Sequence, residues 1–230
     1  TGESPVGTTN NNPSVIDPPK NHVKKPQIEF SIPKHNDDCR QVFGYLIKNR
    51  GLSPEIVAHF VKTGTIYEDL PNHNCVFIGK DEKGIPRHCH RRGTSGNFKN
   101  NISGSDARYS FHHAGTDDTI YVFEAPIDML AFITMHPKDW QKHSYVALCS
   151  VADKALFHQL EVNKNIRKIH LCLDNDIAGQ EANRRIAQEL INAGYSEIKI
   201  LIPTNKDWDE DLVANKKSLS AYCNSHNLVI

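Results

Sequence analysis

The chain has 230 residues, room for one large domain or two small ones, and 38% of them are hydrophobic, which is enough for a core but a lean one. Lysine plus arginine equals aspartate plus glutamate at 27 each, so the net charge is zero and bulk charge gives no argument for a nucleic-acid partner; only local clustering can. No apolar stretch approaches the length of a membrane span, so no membrane partner is expected.

Residues 1–29 are rich in Pro, Asn, Thr and Gly and show no periodicity, a composition that cannot bury enough surface to fold alone. A linker over residues 1–32 is the expectation. The opening Thr1-Gly2 lacks an initiator methionine and a signal-peptide pattern follows nowhere near it, so an excised piece of a longer protein is expected. Residues 38–51, "DCRQVFGYLIKNRG", place Val42, Tyr45 and Leu46 on one helical stripe and end on Gly51. Residues 53–64, "SPEIVAHFVKTG", follow with Ser53 as N-cap, Pro54 at the first helical position and Gly64 as the stop. "NCVFIGKDEKGIPRHCHRRG" then reads as a β-hairpin turning at Asp81–Gly84. A polar, glycine-punctuated loop, "TSGNFKNNISGSDARYSF", leads into a short strand.

From residue 118 the pattern alternates. "TIYVFEA", "SYVALCS", "KIHLCLD" and "EIKILIP" are strands, and "PIDMLAFITMH", "DKALFHQLEV" and "AGQEANRRIAQELINAG" are the helices between them, the second capped by Asp153 and the third stopped by Gly194. "WDEDLVAN" and "SLSAYCNSH" are helical. Short apolar strands without polar alternation belong in a parallel sheet covered on both faces. The expected class is α/β, a doubly wound four-stranded parallel sheet with helices on both faces over 118–230, preceded by a smaller α+β subdomain over 33–117. Ligands of such sheets sit beyond the carboxyl ends of the strands.

Acids gather at those ends. Glu124 closes the first strand, Asp174 the third with Asp176 two residues on, and Asp207, Asp209, Glu210 and Asp211 follow the fourth. Singly, each has an ordinary reading, as a solvated rim residue, a turn former or an acidic helix start. Together on one sheet edge they would repel at a cost of several kcal/mol without a counterion. Mg²⁺ or Mn²⁺ cancels that repulsion, takes only one or two carboxylates and leaves positions for phosphate oxygens, which is the setting of phosphoryl and nucleotidyl chemistry.

These segments resemble the Toprim domain of bacterial replicative primases, topoisomerases and some nucleases, over about residues 118–213. The resemblance implies that Glu124, Asp174 and Asp176 are catalytic and metal ligands, with Glu124 a ligand or a general acid/base, and that Asp207 and Asp209 complete the acidic set. It also implies supporting roles for Asp128, on the opening turn of the first helix, and for Lys206. Ala125 stands where the family has glycine, and Ala107 where a lysine is expected after "GSD". The front half looks like the domain that precedes Toprim in many proteins of bacterial conjugative and other mobile elements, similar in layout to the amino-terminal part of the primase core. Arg87, Arg91, Arg92, Lys99 and Arg108 would then line a groove for template and nucleotide.

The six cysteines form no CxxC pair and the thirteen histidines show no zinc-ligand spacing; His88, Cys89 and His90 alternate across a strand. A reduced cytosolic protein with Mg²⁺ or Mn²⁺ and no zinc within this chain is expected. Tyr109, Phe111 and Phe98 are candidates to stack bases, although aromatics in strands are more often core. The leading function is a primase-like nucleotidyltransferase acting on single-stranded DNA and nucleoside triphosphates, with a helicase or relaxase as candidate partner. The alternatives are a Toprim nuclease and a non-catalytic nucleic-acid-binding module of plasmid or transposon maintenance. Topoisomerase ranks last, because no tyrosine stands out as a nucleophile.

Overall fold

The structure, a computed structural model, describes residues 1, 2, 29–150 and 153–225. The linker expected at 1–32 lies mostly outside the described residues. Helix α1 (Arg40–Phe43) runs into a π-wound turn, Gly44–Asn49, where one regular helix was expected. The predicted stripe is nonetheless buried, with Val42, Tyr45 and Leu46 at 0%, 6% and 0% exposure. The wider winding closes with Arg50 N–H donating to the Tyr45 carbonyl at 3.0 Å, and the Arg50 Nε also donates to the Tyr45 hydroxyl at 3.1 Å. A π turn of this kind shifts the residues after it around the helix axis, and here the residue shifted is Arg50.

Helix α2 (Pro54–Lys62) buries Ile56, Val57 and Phe60. Ser53 precedes it as expected but does not cap it. Its hydroxyl donates to Glu55 at 2.6 Å, and its N–H donates to Thr134 Oγ1 at 3.1 Å, which docks this turn onto the rear half. Gly64 and Gly194 end their helices at φ of 65° and 92°, a region L side chains rarely adopt.

The front sheet is antiparallel in the order β1-β2-β3-β4, built from β1 (Ile66–Glu68), β2 (Cys75–Lys80), β3 (Pro86–Arg92) and β4 (Lys99–Asn101). The β2–β3 turn falls at Asp81–Gly84 as expected, and the Asp81 carboxylate accepts the N–H groups of Lys83 and Ile85. Strands β1 and β4 have three residues each, too short to show a period. Their pairing with β2 and β3 is what makes them strands.

The rear sheet has the order β5-β7-β6-β8-β9. Strands β6 (Thr119–Phe123), β7 (Ser144–Ala147), β8 (Lys168–Leu171) and β9 (Glu197–Ile200) are parallel, the four expected. The two-residue β5 (His112–His113) adds an antiparallel edge on β7, so His112 and His113 are themselves strand residues. Helix α3 (Pro126–Met135) and α6 (Trp208–Ser225) cover one face; α4 (Lys154–Val162) and α5 (Ile177–Asn192) cover the other. Asp153 precedes α4 but pairs with Arg185 instead of capping it. Helix α6 is continuous across the two helical segments expected there, since no breaker separates them.

From β6 the chain leaves over one face toward β7, and from β8 over the other toward β9. The neighbouring ends of β6 and β8 therefore open a crevice between diverging connections, the place where such sheets bind ligands. One apolar core crosses between the halves. Phe60 of α2, Phe77 of β2 and Phe111 form a chain of rings at 5.3 Å centroid spacing, continuous with Phe123, Leu130 and Leu212 of the rear half.

Candidate active site

The crevice at the ends of β6 and β8 continues into a pocket of about 380 Å³, within the range of small-ligand sites. One wall is acidic, with Glu124, Asp128, Asp174, Asp207 and Asp209; the facing wall, from the front half, carries Arg50, Arg92 and Lys99, and Lys206 stands at the rim.

Local structure explains each acid's place. Asp174 follows β8, and Gly179 of α5 packs against its backbone so closely that a Cβ there would lie 2.2 Å from the Asp174 carbonyl oxygen. Asp176 sits at the N-cap of α5 and accepts the Gly179 N–H at 2.9 Å. Asn175 between them ties the turn to the next loop, its N–H donating to the Lys206 carbonyl at 2.7 Å. Trp208 donates its indole N–H to the Cys172 carbonyl at 2.8 Å, which anchors the start of α6 to β8. Asp207 then accepts the Glu210 N–H at 2.8 Å in the manner of an N-cap. Asp211 points elsewhere and accepts the N–H groups of Thr204 and Asn205 at 2.8 and 2.7 Å. Ala125 takes extended backbone, φ −131° and ψ 158°, so the alanine in place of glycine is unstrained.

The electrostatics are those of an acid cluster short of positive charge. Burial, helped by Glu124, Asp207 and Asp176, pushes the Asp174 carboxyl up to about 7, against a smaller opposing pull from Lys206. Burial and the Asp176 charge raise Glu124, with Lys99 and Lys206 opposing. Asp128 is buried and driven well above the carboxylate range by burial and by the charges of Asp174, Asp207 and Asp209, so it is held neutral; it accepts the Asp209 N–H at 3.3 Å. One oxygen of Asp174 and one of Asp209 are buried without a hydrogen-bond partner.

A buried carboxylate oxygen with no donor is what a hard cation satisfies, and the donor set is all oxygen, so the residues fit Mg²⁺ or Mn²⁺. Among the described residues no three His, Cys, Asp or Glu side chains are gathered into a metal cage. Mg²⁺ bound through one or two carboxylates and substrate phosphates needs none.

The basic residues divide by strand parity. Arg92 and His90 face the pocket, and neither Arg92 nor Lys99 is ion-paired among the described residues. Arg87 and Arg91 are each two positions from Cys89, share its face of β3 and so turn away from the pocket. Arg87 pairs with Asp81, and Arg91 donates to Asn100 and rests on the Phe98 ring at 5.3 Å. Arg108 is held by Asp106 on the exposed turn Ala107–Tyr109. Thus Arg92 and Lys99 join the acids, whereas Arg87, Arg91 and Arg108, grouped with them by sequence, do not line this pocket. Phe111 is core at 0% exposure, and Tyr109 packs on His158.

Two residues were missed by sequence reasoning. Arg50 ion-pairs with Asp209 across 159 positions, so Asp209 shares its charge with an arginine and not with the other acids alone. His90 lies in the pocket although its neighbours had suggested only a zinc motif to be dismissed. No local signal marks Arg50, because the π turn that presents it is invisible in the pattern.

The fold and site together describe a parallel-sheet domain with a strand-end acidic cluster facing a basic hairpin. Residues 121–212 match the family described as Toprim-like, and residues 44–117 match a family described as protein of unknown function (DUF3991). The chain thus carries a Toprim-like domain preceded by a DUF3991 domain. Among curated relatives it is 32% identical over 130 residues to the uncharacterized protein MG010 homolog of Mycoplasma pneumoniae and 27% identical over 106 residues to uncharacterized protein MG010 of Mycoplasma genitalium. The matches span about half the length of these relatives, 57% and 46%.

Among solved structures, the primase fragment of the bacteriophage T7 primase-helicase superposes with a TM-score of 0.59 at 19% identity, over 73% of this chain and 69% of that one. The T7 primase domains in a lagging-strand polymerase complex, bound to an RNA/DNA hybrid and dTTP, give 0.59 at 19% identity over 74% and 85%. The DnaG primase catalytic domain bound to single-stranded DNA gives 0.52 at 13% identity over 80% and 71%. At these identities the likeness is one of fold, and the chain has the fold of primase catalytic cores. Among the described residues no helix is long and apolar enough to cross a membrane.

Proposed function

We propose that this chain is the catalytic part of a primase-like nucleotidyltransferase that joins nucleoside triphosphates on a single-stranded DNA template. The observation that carries the reading is the convergence of Glu124, Asp174 and Asp207, from the ends of β6 and β8 and the start of α6, on a pocket whose opposite wall holds Arg92 and Lys99, neither of them ion-paired among the described residues. Glu124, Asp174, Asp176 and Asp207 would hold Mg²⁺ or Mn²⁺, which when bound neutralises triphosphate charge and favours ionisation of an attacking hydroxyl. Arg92 and Lys99 bind phosphate oxygens and orient them toward the acids. Asp128, neutral and buried, spaces α6 from α3 so that Asp207 faces the crevice. Lys206 tempers the acids from the rim.

The resemblance of the front half supports origin in a conjugative or other mobile element, with a helicase or relaxase as candidate partner. The test is primer synthesis on single-stranded DNA with Mg²⁺, comparing the wild type with Asp174→Ala. Mg²⁺-dependent product lost in the variant supports the proposal. Cleavage of labelled DNA without synthesis transfers the site to the nuclease reading, and neither activity in the full-length protein rejects both.

A further inference from the structure

His90 of β3 is 8% exposed, lines the pocket and has no part in the scheme above. Its cross-strand partner in β4 is Asn101, and the His90 Nδ1 lies 2.8 Å from Asn101 Oδ1. The Asn101 amide nitrogen donates in turn to the carbonyl of Cys149 at 3.1 Å. That carbonyl can only accept, so the amide nitrogen must face it and the amide oxygen must face the ring. The ring's Nδ1 therefore carries the proton, and Nε2 is left as an acceptor. The end of this relay is stiff. Cys149 sits at φ 55°, its N–H bonded at 2.9 Å to the carbonyl of Glu124, so the relay ends on the backbone of an acid of the site.

No hydrogen-bond partner for Nε2 is found among the described residues, although His90 lines the pocket wall. Burial and the neighbouring charges of Arg92 and Lys99 outweigh the Asn101 bond and keep the ring neutral. A neutral acceptor repels phosphate oxygens and needs a donor. A nucleoside triphosphate offers sugar hydroxyls and, on some bases, an exocyclic amine. Because His90 stands beside the two cations that take the phosphates, the sugar is the part within its reach.

We propose that His90, locked in one tautomer by Asn101, accepts a hydrogen bond from a ribose hydroxyl of the bound nucleotide and so sets a preference for ribonucleotides. This rests on the nucleotide-binding reading of the pocket. The histidine is then a specificity residue, and Asn101 a positioning residue that acts through it.

The test is calorimetric titration of ATP, 2′-deoxy-ATP and 3′-deoxy-ATP into the full chain with Mg²⁺, for wild type, His90→Ala and Asn101→Ala. The wild type is expected to bind ATP about three- to tenfold more tightly than one of the two deoxy analogues, as one hydrogen bond to a neutral group provides. The analogue that loses affinity names the hydroxyl. Both variants should bring that ratio to one while leaving affinity for the affected deoxy analogue unchanged. Asn101 is exposed, so its variant reads the relay even if His90→Ala fails to fold. A wild type that binds all three equally, a variant that keeps the ratio, or a variant that weakens every nucleotide alike overturns the proposal and leaves the nucleotide reading standing. A wild type that binds no triphosphate sinks that reading and this one with it.

Discussion

Asp174 combines a raised carboxyl with an unpaired oxygen. The sign of its pH linkage follows from the direction of the shift. Its folded pKa, about 7, lies above the model-peptide 3.8, so folding takes up a proton between these values. The resulting stabilisation is present below about pH 4 and is lost as pH rises through about 7. Without divalent cation the melting temperature should therefore fall between about pH 4 and 7 and level off above, and Asp174→Asn should flatten that fall. With solvent reaching the half-buried group, the difference at pH 8 is about 1–2 kcal/mol in favour of the variant. Thermal melts in EDTA check it, and a variant that tracks the wild type across the range contradicts the assignment. Arg50 sets a second expectation. Arg50→Ala strands Asp209 beside Asp207 with one oxygen already unpaired, and should cost about 1–3 kcal/mol in urea unfolding. Asp209→Asn in the Arg50→Ala background should recover part of that loss, because the stranded charge is gone.

Elements decide which of these side chains meet. Strand β3 carries three arginines, Arg87, Arg91 and Arg92, and period two sends only Arg92 toward the acids. Arg92→Ala should weaken single-stranded DNA or nucleotide binding and lower the salt slope of log K by about one, while Arg87→Ala leaves both unchanged. Fluorescence titrations at several salt concentrations separate them. Glycines make a second contrast. Gly179→Ala drives a Cβ into the Asp174 carbonyl, so α5 must shift; it should cost about 2 kcal/mol or more and activity with it. Gly44 has open space and helical backbone, and Gly44→Ala should stabilise by about 0.5–1 kcal/mol. The long elements were readable because their apolar period repeats several times. Strands β1, β4 and β5, at two or three residues each, exist through their partners.

At the scale of the whole molecule, the front and rear halves share the core in which Phe60, Phe77 and Phe111 touch. A cut between residues 117 and 118 would expose that face on both sides. The intact chain should unfold in one transition whose calorimetric and van't Hoff enthalpies agree, and two separated transitions would contradict a shared core. The same packing carries the basic hairpin onto the acid edge. By itself the sequence determined the alternation of strands and helices, the apolar stripe of Val42, Tyr45 and Leu46, the hairpin turn and the acids at the strand ends, since each depends on neighbours a few positions away. Only the tertiary structure decided that Arg92 and not Arg87 faces those acids, that Arg50 pairs with Asp209, and that Asn101 holds His90. Those pairings join residues from different elements, and their geometry is set by how the two sheets pack, which no local period encodes.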